Sequence, residues 1–89
     1  MKDILNNEQF VDWFCYLAER HQDEIMYEPL SDYQQPLVDL INKHSKTEVL
    51  PLAMIGGNGD KFGIRFVDVK TSKRWELYTD YERLIIKQL

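Results

Sequence analysis

The sequence predicts an α+β fold: a single two-layer domain of order ααβββα, with a three-stranded antiparallel meander packed against helices. Three observations predict it. Apolar residues recur at helical spacing through the first half of the chain. From residue 47 the pattern changes to alternation in runs rich in apolar and β-branched residues. The polar stretches between those runs are short, and short connections join antiparallel neighbours. With 89 residues and no repeats, linkers or low-complexity segments, residues 1–89 read as one domain.

Residues 7–27 form the first predicted helix. Asn6 or Asn7 can cap it, and Glu8 in the first turn favours the positive helix end. Phe10, Trp13, Phe14, Leu17, Ala18, His21 and Ile25 fall on one face, and Pro29 lies just beyond the end. The second helix is expected within residues 31–44. Ser31 and Gln34 have capping-box spacing, but Pro36 pushes Gln35 away from helical backbone. A short turn at 31–34 and a main helix from Pro36 to His44 follow, with Leu37, Leu40, Ile41 and His44 inside.

"TEVLPLAMI", residues 47–55, has strand composition, and Pro51 places it at a sheet edge or in a bulge. In residues 61–69, Phe62, Ile64 and Phe66 point one way and Arg65 and Val67 the other. "TSKR" is a polar turn, and "WELY" is a third strand with Trp75 and Leu77 on one face. "TDYERLIIKQL" opens with Thr79 and Glu82 in capping-box spacing, which predicts a last helix lined by Tyr81, Leu84, Ile85 and Leu89.

Composition narrows the function classes. A single cysteine, Cys15, excludes an intrachain disulfide, and with two histidines the chain lacks the spacing of a structural zinc site. One cysteine suits a reducing cytoplasm. The N-terminus reads "MKDILNNEQF" without a signal-like apolar run, and the longest apolar run, "VLPLAMI", is far short of a membrane span. A soluble cytoplasmic protein is expected. The net charge of −4 divides unevenly: residues 1–42 carry −7 and residues 43–89 carry +3. Such asymmetry is a cue to a charged partner or to self-association.

All four glycines lie in "MIGGNGDKFG", residues 54–63. Gly57 and Gly59 have GxG spacing, but Phe62 stands where a dinucleotide motif needs its third glycine, and a strand follows. "GGNGD" misses the GGxGxD calcium repeat by one position and occurs once. Gly57, Asn58, Gly59 and Asp60 therefore read as a hairpin loop, kept as a contact tip. His21 and His44 sit near predicted helix C-termini, where the dipole and the last carbonyls favour them. Cys15 lies among Asp12, Glu19 and Asp23, and such carboxylates oppose a reactive thiolate. No nucleophile–base pair, metal set or cofactor motif stands out, so the chain reads as non-enzymatic, with no cofactor and no metal.

Two charged features remain. Glu8, Asp12, Glu19 and Asp23 form a narrow stripe on the first helix, opposite the Phe10/Phe14/Leu17 face and bordered by Tyr16. Around the second hairpin, Lys70, Lys73 and Arg74 precede Trp75 and Tyr78, a pattern that can hold phosphate and stack a base. A pI near 5.0 opposes general nucleic-acid affinity. The leading expectation is a small acidic protein-interaction module, a binder or inhibitor of a basic nucleic-acid-handling or toxin-like protein. Compact acidic proteins of microbial immunity or phage origin resemble it in size and charge only. The alternative is a nucleic-acid-binding regulator using hairpin 70–78. Homodimerisation is a third expectation, from the Pro51 edge, from Ile86 and from the oppositely charged halves.

Overall fold

The computed structural model describes residues 1–24 and 27–89. Its elements are α1 (Glu8–Asp23), α2 (Gln34–Ser45), β1 (Val49–Gly56), β2 (Phe62–Asp68), β3 (Arg74–Thr79) and β4 (Leu84–Gln88), with 3-10 turns at Lys2–Asn6 and Leu30–Tyr33. The class is α+β, as expected. The order is ααββββ, and the sheet is a four-stranded antiparallel meander, β1-β2-β3-β4.

Helix α1 starts where its capping residue directs: the Asn7 side chain accepts a hydrogen bond from the Phe10 N–H at 3.1 Å. Phe10, Phe14, Ala18 and His21 are buried. Trp13 is not part of that core; it is 54% exposed. It sits about 100° around the helix from Phe14, at the rim of the arc that the sheet and α2 cover. The helix ends at Asp23 rather than 27, Tyr27 is exposed in a turn, and Ile25 lies outside the described residues.

Helix α2 begins earlier than expected. The Ser31/Gln34 capping box does not form, because Ser31 lies inside the 3-10 turn and the N-cap position is Tyr33, which makes no side-chain cap bond. Gln35 is helical despite preceding proline. Pro36 is the third helical residue, where no intrahelical partner awaits an N–H. Leu37, Val38 and Ile41 are buried, and Lys46 closes the helix in left-handed backbone at φ 57°.

The first hairpin matches its reading closely. Strands β1 and β2 pair in antiparallel register, with a shift between Pro51 and Ala53 that leaves Leu52 as the extra residue of a bulge. Strand β1 is an edge strand, as Pro51 requires. The loop at 57–60 turns the chain between the strands.

The predicted C-terminal helix is strand β4. Thr79 ends β3 in register with Phe62 on one side and Leu84 on the other, so it cannot begin a helix. Its Oγ1 accepts from the Tyr81 N–H at 3.0 Å and donates to the Arg83 carbonyl at 2.9 Å. Asp80 Oδ1 accepts from the N–H groups of Glu82 and Arg83, and those bonds hold its carboxyl below the usual range. Tyr81 turns the chain at φ 72°, held by its hydroxyl donating to the Ala18 carbonyl at 3.1 Å.

Cross-strand pairs sort the sheet into two faces. Phe62, Ile64, Phe66, Trp75 and Leu77 face the helices and are buried. Phe62 is the hub of an aromatic cluster, with ring centroids of Phe14, His21 and Tyr33 at 5.7, 5.5 and 5.4 Å. The opposite face carries the rows Leu50–Val67–Arg74, Ala53–Arg65–Glu76–Lys87 and Ile55–Gly63–Tyr78–Ile85. No described element covers it.

Glu76 anchors the middle row. It accepts from Arg65 Nε at 3.0 Å and stands 3.5 Å from Lys87 Nζ. The Arg65 bonds hold its carboxyl below the usual value of 4.5, against an opposing push from burial. Glu28, which accepts from the Tyr33 hydroxyl and then from Arg20, is lowered in the same way. A carboxyl depressed by folding stabilises the fold above its unfolded pKa and loses that contribution as pH falls through the folded value. The urea midpoint should therefore be flat from pH 7 to about 5 and fall below about 4. Glu76→Gln should lower the midpoint at neutral pH and flatten the acid limb. An acid limb identical to that of the wild type would remove Glu76 as a contributor.

Candidate functional site

Helix α1 carries the most distinctive surface. Glu8, Asp12, Glu19 and Asp23 are all exposed on its outer side. Tyr16, 52% exposed, borders them, and Trp13 lies beyond it. The two rings meet edge-on, 5.7 Å between centroids and 84° between planes. Asp12, Trp13 and Tyr16 line a shallow hollow. Arg20, one turn from Tyr16 and in side-chain contact with it, also lies on this side, lines a second hollow with Tyr16, Glu19 and Asp23, and pairs with Glu28 at 3.0 Å. The surface is therefore two half-exposed aromatic rings rimmed by carboxylates, with one base, Arg20, whose charge is shared with Glu28. The acidic stripe was legible from spacing. The aromatic pair was not, because helical periodicity assigns Trp13 to the core.

The loop at 57–60 lies near the far end of α1. Gln22 Nε2 donates to the Gly59 carbonyl at 3.3 Å, joining the loop to the helix. Asp60 helps raise the pKa of the Tyr81 hydroxyl, after burial. Gly57, Asn58 and Asp60 are exposed, so the loop extends the α1 surface rather than forming a cradle of its own.

The structure keeps the hairpin's bases together and divides its two rings between the faces of the sheet. Lys70 and Lys73 are exposed on the β2–β3 turn, and Arg74 opens β3 on the uncovered face. Trp75 is buried among the helices, 8% exposed, whereas Tyr78 lies on the opposite face. They are three positions apart, an odd spacing, so strand alternation must place them on opposite sides. No base can stack between them.

His21, His44, Cys15 and Asp68 lie within the packed fold rather than on the α1 surface. His21 is 1% exposed, edge-on to Tyr33 at 5.1 Å, and its Nδ1 has no hydrogen-bond partner. His44 stands edge-on to Phe10 at 5.7 Å, with Nε2 buried and unpartnered. Both histidines are packed rings rather than caps on helix carbonyls. Burial first, then Glu19 and Asp12, push the Cys15 thiol up and disfavour the thiolate. Asp68 is spent on a turn: its Oδ1 accepts from the Lys70 N–H and the Thr47 hydroxyl. Among the described residues, no three His, Cys, Asp or Glu side chains gather as a metal site, and no helix is long and apolar enough to cross a membrane.

Comparison with protein-family models, with curated proteins and with solved structures finds no match to this chain.

Proposed function

We propose that this chain is a non-catalytic protein-interaction module that docks a basic protein surface through the outer face of α1, as a binder or inhibitor of a nucleic-acid-handling or toxin-like protein. The observation that carries this reading is the Trp13–Tyr16 pair, half exposed and rimmed by Asp12, Glu19 and Asp23. Tryptophan and tyrosine are the residues most enriched at the energetic centres of interfaces, where their rings are buried on contact. The surrounding acids speed encounter with a basic partner and exclude acidic ones. Apart from Glu8 at the positive helix end, the fold gains nothing from this arrangement: stacking Glu8 over Asp12 and Glu19 over Asp23 costs a few tenths of a kcal/mol per pair.

The test is capture from the native host with three forms of the chain. Trp13→Ala/Tyr16→Ala should weaken retention of the captured partner at least about tenfold, since each anchor contributes more than about 1 kcal/mol. Asp12→Lys/Glu19→Lys/Asp23→Lys should slow association and reverse its response to salt. All five positions are exposed, so circular dichroism should show unchanged folding. Equal recovery of the same partners by all three forms would end the reading. Capture of the wild type by immobilised single-stranded nucleic acid, lost on Lys73→Ala/Arg74→Ala, would favour the hairpin instead.

A further inference from the structure

The uncovered sheet face is the largest surface that the proposed function leaves unused. Its strands present Leu50, Val67, Ile55 and Ile85 between charged side chains. Leu50 and the bulged Leu52 are 51% and 47% exposed. Cations dominate: Arg65, Arg74 and Lys87 on the strands and Lys61 beside Tyr78, against Glu76, with Glu48 at the corner near Val69. Lys61 and Lys87 stand 5.5 and 5.8 Å from the Tyr78 ring centroid. The face is aliphatic with a basic excess, so its occupant must be apolar with an acidic rim.

We infer that this face receives helix α1 of a second copy of the chain. The inference rests on the reading of α1 as a docking surface and gives that surface a second occupant. The outer side of α1 is the chemical complement: Trp13 and Tyr16 for the aliphatic rows, and Asp12, Glu19 and Asp23 for Arg65, Arg74 and Lys87. The two surfaces lie on opposite sides of a two-layer domain, so one chain cannot bring them together itself. Two sheet faces cannot stack on each other, because their cations would meet and Glu76 is already shared by Arg65 and Lys87. Nucleic acid fits less well: among the described residues Tyr78 is the only aromatic ring on this face, and aliphatic rows offer no stacking platform.

The geometry sets the strength and form of the contact. Four strands about 4.8 Å apart and about 20 Å long give roughly 400 Å². That is half of the roughly 800 Å² per partner in a standard interface, so the contact is weak and concentration-dependent. A helix-to-sheet contact is head-to-tail, so it grows into a ring or an open chain rather than a two-fold dimer.

Sedimentation equilibrium of the full chain reads this directly. At about 0.01 M ionic strength the average mass should rise above 10.7 kDa with concentration, and at about 1 M it should return to monomer. Trp13→Ala/Tyr16→Ala and Leu50→Glu/Arg74→Glu, all at exposed positions, should each raise the dissociation constant at least about tenfold. An equimolar mixture of the two variants should form a 1:1 complex, because each keeps the surface that the other lacks. A wild type that stays monomeric at every concentration overturns the inference. So does self-association that survives Leu50→Glu/Arg74→Glu, or a mixture that does not pair. If the wild type is monomeric while Trp13→Ala/Tyr16→Ala still loses a host partner, only the self-association is removed and the proposed function stands.

Discussion

Gly63→Ala should destabilise the protein by about 3 kcal/mol or more and lower its melting temperature by roughly 12–24 °C. Gly63 lies in β2 directly opposite Tyr78. A Cβ added there would stand 2.5 Å from the Tyr78 Cα and closer still to the Leu77 carbonyl oxygen. Those are backbone atoms of the neighbouring strand, so no rotamer change relieves the clash, and β2 must move away from β3. The core on the other side would move with it, since Phe62 and Ile64 flank this residue at 0% exposure. Alanine's better strand preference, about 0.5–1 kcal/mol, offsets only a fraction. Gly57→Ala is the control. Its φ of 112° makes any side chain strained, but the nearest atom to its Cβ is Leu30 Cδ2 at 3.9 Å. It should cost about 1–2 kcal/mol. Thermal melts of both variants decide the matter; Gly63→Ala melting with the wild type would mean that β2 and β3 do not pair in this register.

Phe62→Ala should cost about 3–5 kcal/mol. At about 0.05–0.15 kcal/mol per residue, an 89-residue chain has roughly 4–13 kcal/mol in total, so the loss is a large share. Phe62 is fully buried and touches three rings from two elements: Phe14 and His21 of α1 and Tyr33 of the 3-10 turn before α2. Removing it undoes the joint between both helices and the sheet. Phe62→Leu keeps most of the volume and should recover more than half of the loss. Urea unfolding measures both. A Phe62→Ala cost below about 1 kcal/mol would mean that this cluster does not hold the layers together.

Several elements were legible in the residues because their signals are local. Asn7 caps α1 from one turn away, and the Phe62/Ile64/Phe66 alternation survives any tertiary context that buries one face. Pro51 announced an edge because it has no N–H to donate. Within the candidate site, the Glu8–Asp23 stripe was readable because carboxylates at helical spacing must share a side. Trp13 was misread because periodicity gives an angle and not the width of the covered arc. In the Lys70–Tyr78 hairpin the exposed bases were readable from the polar turn, and strand alternation leaves only Tyr78, not Trp75, on the uncovered face.

By itself, then, the sequence determined the α+β class, the first helix, the two hairpin strands, read at 47–55 and 61–69 and observed at 49–56 and 62–68, and the acid–base division of the chain. The tertiary structure alone decided the fate of residues 79–89. Thr79 and Glu82 have the spacing of a helix start, but an isolated helix of eleven residues is marginal in water. "LII" suits a strand as well as a helix. The open edge of β3 offered Leu84–Gln88 a ladder of five pairs, from Trp75 with Gln88 to Thr79 with Leu84. Long-range pairing therefore overrode a short-range cap. The same choice, by turning the last segment into β4, left one face of the sheet without a helix over it.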